Sequence, residues 1–186
     1  MTTELLEVLQ DAGAVRRGHF LLSSGKHSDV YVEKARVFED PKLTVRLAEE
    51  AATWFEDVDV VVSPAVGALP FGFAVAHATG ARFVYAEREG GRMALRRGFA
   101  IATGARALVV EDVITTGGSA AEVHALVVGA GAQALGVLAL VDRSPGDVGF
   151  PMRALTRVEA RAWAPEDCPL CAEGRPLESP GSRHLT

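Results

Sequence analysis

Basic residues do not outnumber acidic ones in this chain. Its 19 Lys and Arg stand against 24 Asp and Glu, a formal charge of −5, and the pI is about 5.6. An electrostatic nucleic-acid binder usually shows a basic excess, so no nucleic-acid partner is expected. Long apolar runs are also missing. No segment reaches the ~18–20 consecutive apolar residues needed to span a bilayer, so no membrane partner is expected either. The N-terminus reads Met1-Thr2-Thr3-Glu4, without a basic stretch followed by an apolar one. No signal peptide is expected, and the expected location is cytoplasmic.

Cysteine is scarce. The only two occur in Cys168-Pro169-Leu170-Cys171, which suits half a zinc site, a redox pair or plain thiols. Tetrahedral zinc takes four ligands, and His184 is the only further candidate nearby in sequence. No metal ligand set is therefore assigned within one chain, although two chains could share one. His19, His27, His77, His124 and His184 are scattered. None stands at metal or nucleophile spacing from a second group, so they read as structural.

What is present is ordinary for a soluble globular protein: 186 residues, 48% hydrophobic and 23% charged, enough to bury a core without covalent staples. Leu5, Leu6, Val8 and Leu9 stand at helical spacing before Gly13. Two short strands are expected around the Ser24-Gly25-Lys26 turn, within Gly18 to Val32. Asp40-Pro41 looks like a helix cap with proline at the first helical position, the helix running to about Phe55. Then Val58 to Val62, Arg82 to Ala86, Ala107 to Val110 and Leu135 to Val141 read as strands. The first is almost wholly apolar and suits a strand covered on both faces. Helices are expected over Gly67 to Ala78 and Gly117 to Val128. Strands alternating with helices imply βαβ units and a parallel sheet. Between Glu87 and Ala102 the pattern breaks. Glu87-Arg88-Glu89-Gly90-Gly91-Arg92 is charged and glycine-rich, and Met93 to Ile101 suits a short hairpin, together resembling a mobile flap. The tail after Trp163 leans to Pro, Gly and Ser.

The most informative segment is Ala107-Leu108-Val109-Val110-Glu111-Asp112-Val113-Ile114-Thr115-Thr116-Gly117-Gly118-Ser119. An apolar strand ends in two acids, and a hydroxyl- and glycine-rich turn then opens a helix. Ligands of open α/β sheets bind beyond the carboxyl ends of the strands. Free backbone N–H groups and the helix dipole favour phosphate there, and glycines let the backbone approach closely. Glu111 and Asp112 would repel a naked phosphate. They suit a ligand that also offers donors, such as ribose hydroxyls, or a magnesium ion. A sugar phosphate satisfies both halves. The string lacks the Gly-Lys-Ser/Thr ending of a P-loop and is not a GxGxxG fingerprint.

This string resembles the phosphoribosyl-diphosphate signature of type I phosphoribosyltransferases. From about Leu5 to the tail, the chain resembles the orotate phosphoribosyltransferase family. Three further segments carry that closer resemblance. Phe20 to Ser28, with Tyr31 following, is similar to the family's Ser-Gly-basic-x-Ser hood over the base; on its own, a Ser-Gly-Lys turn is a common hairpin tip. Val141-Asp142-Arg143 stands where the family's Arg pairs with the orotate carboxylate, and Thr115 where the first signature Thr touches orotate. A guanidinium grips a carboxylate bidentately; taken alone, the pair reads as a surface Asp–Arg closing a strand. Ser63-Pro64-Ala65-Val66-Gly67-Ala68 resembles the family's diphosphate-binding loop, and alone reads as a βα turn.

The resemblance implies a type I phosphoribosyltransferase fold: α/β, a central, mostly parallel sheet flanked by helices, with a small N-terminal hood and a flexible flap. One domain over residues 1–186 is expected, with the hood at about 1–36 plus the tail and the core at about 41–160. It implies transfer of the phosphoribosyl group of 5-phosphoribosyl-1-diphosphate to orotate, with magnesium, in a homodimer. The implied substrate-binding residues are Lys26, Glu111, Asp112, Val113, Ile114, Thr115, Thr116, Gly117, Gly118, Ser119 and Arg143. Asp112, Arg88 and Arg92 are the implied catalytic residues. The flap departs from the family's Lys-x-x-Lys-x-His-Gly pattern: it has no lysine. Arg88 and Arg92 would supply positive charge but no proton near neutral pH. Two alternatives remain, transfer to a purine or other base, and a non-catalytic regulator that binds the sugar diphosphate.

Overall fold

The computed structural model describes residues 2–22 and 24–180, so Ser23 of the hood segment and His184 lie outside the described residues. In chain order the elements are α1 (Thr2–Asp11), β1 (Val15–Leu21), β2 (His27–Val32), α2 (Ala35–Phe38), α3 (Pro41–Ala52), β3 (Val60–Pro64), α4 (Leu69–Thr79), β4 (Arg82–Glu89) and β5 (Arg92–Leu95). There follow β6 (Arg106–Ile114), α5 (Gly118–Gly129), β7 (Gln133–Asp142), β8 (Met152–Arg157), β9 (Ala162–Trp163) and α6 (Pro169–Ala172). A six-stranded sheet has the order β5-β4-β3-β6-β7-β8, and a three-stranded sheet has the order β1-β2-β9. Every pair of the larger sheet is parallel except β4–β5. This is the mostly parallel α/β arrangement that the strand–helix alternation predicts.

The uninterrupted apolar runs follow from burial on both faces. Val61, Leu108, Leu138 and Leu140 pack with Leu47, Phe71 and Val75 on one side. Val60, Val62, Val109 and Val137 pack with Val123 and Val127 of α5 on the other. Asp40 caps α3 as expected: its carboxylate accepts from Lys42 N at 2.9 Å and Leu43 N at 3.2 Å, worth about 1 kcal/mol. No described helix is long and apolar enough to cross a membrane.

Several expectations need correction. The flap hairpin lies earlier than expected. Its strands are β4 and β5, with Glu89 opposite Arg92, and Gly90 and Gly91, both at positive φ, make its tip. Arg96 to Gly98 instead form the turn after β5, where Phe99 N donates to Arg96 O at 2.8 Å. β6 does not end at the acids but runs on through Ile114. β8 has no clear signal in the sequence, because an edge strand reading Met-Arg-Ala-Leu-Thr-Arg is neither continuously apolar nor cleanly alternating. The tail is ordered against the hood: Leu21 N donates to Glu178 O at 2.8 Å, and Glu178 N donates to His19 O at 2.8 Å.

Candidate active site

β3 and β6 are neighbours, but the chain leaves them in opposite directions across the sheet, to β4 and to β7. A crevice opens outside the carboxyl ends of such a strand pair, and ligands of open α/β sheets bind there. The loops at that end are residues 65–68 after β3, 115–117 after β6 and the segment from Arg143 after β7. The Ala65–Val66 peptide bond is cis. At Gly67 a side chain has no room: a Cβ would stand 2.3 Å from Asp112 Oδ2 and 2.6 Å from Lys34 Nζ. Glycine here lets the loop close over a charged pair.

Glu111 and Asp112 are both buried. Glu111 Oε1 accepts from Asp112 N at 3.0 Å, and Asp112 Oδ1 accepts from Val113 N at 2.6 Å. Burial, and then the adjacent Asp112 charge, push the Glu111 carboxyl up to about 8, so it carries a proton at neutral pH. Asp112 Oδ2 lies 2.5 Å from Lys34 Nζ, but the ammonium approaches outside hydrogen-bonding geometry and the oxygen has no hydrogen-bond partner. A buried acceptor in that state has capacity for a ligand donor. Lys34 escaped the sequence reading. It follows β2 by two residues with no motif around it, and only the packing of α2 beside the crevice brings it to Asp112.

The signature loop divides by role. Ile114 is a core side chain, and the Val113 N–H is already committed to Asp112, so these two residues offer a ligand little beyond shape. Thr115 and Thr116 are exposed. Gly117 sits at φ 76°, where a Cβ would stand 3.1 Å from the Phe150 ring and 3.2 Å from Val148. It precedes α5 without a side-chain cap, leaving first-turn N–H groups free for an anion. Gly118 is different. Its nearest neighbour would be Thr116 Oγ1 at 3.8 Å, so protein packing alone does not demand glycine there.

Arg143 is anchored by its own N–H to Ile114 O at 2.8 Å. Its Nη2 donates to Val30 O in the hood at 3.3 Å. Burial pulls its pKa down from the ordinary arginine value, against the opposing influence of Asp29 and Tyr31. Its Nε is buried and has no partner. The neighbouring Asp142 does not pair with it. That carboxylate takes Arg157 at 2.8 Å and Ser144 N at 2.8 Å, so a surface Asp–Arg pair closing the strand is not what forms. Lys26 is exposed at the β1–β2 turn, and no described ion pair or hydrogen bond joins its ammonium to Arg143 or Asp112.

The flap reaches this loop through Arg88. Its Nη1 donates to Gly91 O at 2.8 Å, and its Nη2 donates to Glu122 at 3.1 Å and to Ser119 Oγ at 3.4 Å. Glu122 also accepts from Met93 N at 2.8 Å, tying the flap to α5. Arg97 pairs with Glu87 and Arg96 with Glu89. Arg92 forms no ion pair among the described residues.

The histidines are not all scattered. His19 and His27 lie beside Cys168 and Cys171, their ligand-type atoms all within 4.8 Å of one another. No sequence spacing announced this, because strand pairing in the hood and the return of the tail bring the four together.

The chain matches no protein-family model. It is 45% identical over 186 residues to an orotate phosphoribosyltransferase of Caldanaerobacter subterraneus subsp. tengcongensis, covering 98% of each chain. It is 48% identical over 183 residues to an orotate phosphoribosyltransferase of Thermotoga petrophila, covering 96% of this chain and 98% of that one. Among solved structures it is similar to orotate phosphoribosyltransferase from Aeropyrum pernix. There the TM-score is 0.68 and the identity 27%, over 83% of this chain and 93% of that one.

Proposed function

The chain belongs to the orotate phosphoribosyltransferase family, and from that premise we infer that it joins orotate to C1 of 5-phosphoribosyl-1-diphosphate. The products are orotidine 5′-phosphate and diphosphate, a step of pyrimidine biosynthesis. The observation that carries the base assignment is Arg143: a half-buried guanidinium beside the crevice with an unpaired Nε. A buried donor without a partner costs about 1–3 kcal/mol, and a planar carboxylate is the acceptor its fork fits. A purine has no carboxylate to offer.

The remaining roles follow from the donor set. Asp112 Oδ2 accepts from a ribose hydroxyl, while Glu111, protonated before ligand binds, either donates to the ribose or ionises against it. Thr115, Thr116, Ser119 and the free N–H groups at Gly117 and Gly118 hold the 5′-phosphate. Lys34, held beside Asp112 and the Gly67 loop, faces the diphosphate and stabilises its departing charge. Arg88 and Arg92 add positive charge from the flap but move no proton. Lys26 at the hood turn orients the base or diphosphate end. Closure of the flap excludes water, whose attack on C1 is the competing loss.

Magnesium belongs to the same proposal. The adjacent Glu111 and Asp112 carboxyls at the ribose end fit a hard cation held through its waters, and the ion would neutralise charge on the diphosphate. A homodimer and a cytoplasmic location complete it; the exposed Phe73 and Val66 support the dimer as apolar surface to be covered.

The test is loss of orotate absorbance with sugar diphosphate and magnesium, for the wild type and Arg143→Ala. Magnesium-dependent turnover that collapses in the variant is expected. Turnover of a purine instead of orotate would move the chain to another base. Binding of sugar diphosphate without turnover of any base would make it a regulator.

A further inference from the structure

We propose that His19, His27, Cys168 and Cys171 form a closed tetrahedral zinc site that fastens the C-terminal tail to the N-terminal hood. None of these four residues belongs to the crevice described above.

The geometry is close to what zinc requires. His19 Nε2 lies 3.0 Å from His27 Nδ1. Cys168 Sγ lies 3.5 Å from His19 Nε2, and Cys171 Sγ lies 3.6 Å from His19 Nε2 and 3.2 Å from His27 Nδ1. Zn–N bonds of ~2.0–2.1 Å and Zn–S bonds of ~2.3 Å at tetrahedral angles put neighbouring nitrogens ~3.4 Å apart and N···S pairs at ~3.6 Å. The four pairs above lie within about 0.4 Å of those values, and all four donor atoms lie within 4.8 Å of one another, so side-chain shifts of up to about an ångström close the tetrahedron.

The protonation pattern agrees. His19 Nδ1 faces Arg175 O at 3.0 Å. A carbonyl only accepts, so Nδ1 carries the ring proton and Nε2 turns its lone pair inward. Metal-bound histidines are oriented in this way by an outer carbonyl. His19, His27 and Cys168 are buried while Cys171 is exposed, which gives a dry site with one open edge for entry.

The donor set selects the ion. Two thiols and two imidazoles at tetrahedral spacing suit zinc. Four protein ligands leave no open coordination position, so the role is structural rather than catalytic. Binding releases one proton from each thiol, and the two thiolates cancel the ion's charge.

The position gives the consequence. Cys168 and His19 are 149 residues apart in the chain, so the ion closes almost the whole polypeptide. Nearby, the tail is held by backbone pairing of β2 with β9, by the Glu178 hydrogen bonds, and by Arg161 N donating to Asp29 Oδ1 at 2.9 Å. β2 also carries Val30, the hood residue that Arg143 touches. Zinc therefore stiffens the hood without touching substrate.

The deciding experiment is metal content. Full-length protein, made without a metal-affinity tag and kept reduced, is measured by plasma mass spectrometry. About one zinc per chain is expected for wild type, falling to background in the Cys168→Ser/Cys171→Ser double variant. Zinc-free wild type titrated with cobalt should show thiolate-to-cobalt charge transfer and tetrahedral d–d absorption, lost on adding zinc. Chelation should lower Tm by roughly 5–15 °C. If the double variant does not fold, the cobalt spectrum of wild type decides. Background metal together with no cobalt absorption in folded wild type overturns the proposal. So does zinc retained by a folded double variant, or a Cys168–Cys171 disulfide in the reduced preparation.

Discussion

Two polar clusters border the hood and handle their polar groups in opposite ways. In the crevice at the switch point, Arg143 Nε is buried without a hydrogen-bond partner, Asp112 Oδ2 has only the Lys34 ammonium beside it, and burial holds a proton on Glu111. In the knot between hood and tail, two imidazoles and two thiols turn toward a common centre, and His19 is braced from outside by Arg175 O. Unfilled hydrogen-bonding capacity marks a place where something must come and go. Capacity turned wholly inward marks a place that holds one thing permanently. Metal sites divide likewise, catalytic ones keeping a position open and structural ones closing it.

The largest effect that would break this contrast is at Arg143. Arg143→Ala should lower kcat/KM for orotate by roughly a hundred- to ten-thousand-fold, since losing one partner of a desolvated ion pair costs about 3–5 kcal/mol. Arg143→Lys should recover only a small part, because the fork is lost while the charge stays. Little change in either would remove the carboxylate clamp. Next comes Gly67→Ala, whose new methyl collides with Asp112 and Lys34. Steady-state kinetics should show kcat/KM down by at least ~tenfold, from a displaced loop and a broken pair; wild-type rates would mean that the loop can retreat.

The paired glycines sharpen the comparison within one loop. Gly117→Ala should lose about 1–3 kcal/mol of stability, from its left-handed backbone and the Phe150 contact. Gly118→Ala should keep its Tm yet bind sugar diphosphate more weakly. Equal thermal shifts in both would show that packing does not separate them.

A pH slope bears on the acid pair of the same crevice. Glu111 has its folded-state pKa raised from 4.5 to about 8, so the folded protein holds the proton more tightly than the unfolded chain. Its contribution to stability is full below pH about 4.5 and is lost as pH rises through about 8. Tm of the ligand-free protein should decline over that window, and Glu111→Gln should flatten the decline. An unchanged slope in the variant would assign it to other groups.

Much of this was legible in the chain. The apolar runs at 58–62, 107–110 and 135–141 announce strands, the first of them covered on both faces. The acids and the Thr-Thr-Gly-Gly-Ser turn of residues 111–119 announce a phosphate loop, because period and turn chemistry are local properties. Arg143 was legible only through resemblance, since an Asp–Arg dipeptide at a strand end ordinarily pairs on the surface. Lys34 was not legible at all. Nor was Gly67's particular necessity, which depends on two side chains from elsewhere in the chain meeting at its Cα.

By itself, then, the sequence determined the class of fold and the ligand-binding end of one strand. Local spacing sets which residues face a core, and a turn's own residues decide what its backbone can hold. Only the tertiary structure decided which distant charges meet Asp112, what surrounds Arg143, and that His19 and His27 join Cys168 and Cys171. Those are non-local contacts. They depend on strand order and on the return of the tail, to which residue spacing along the chain is blind.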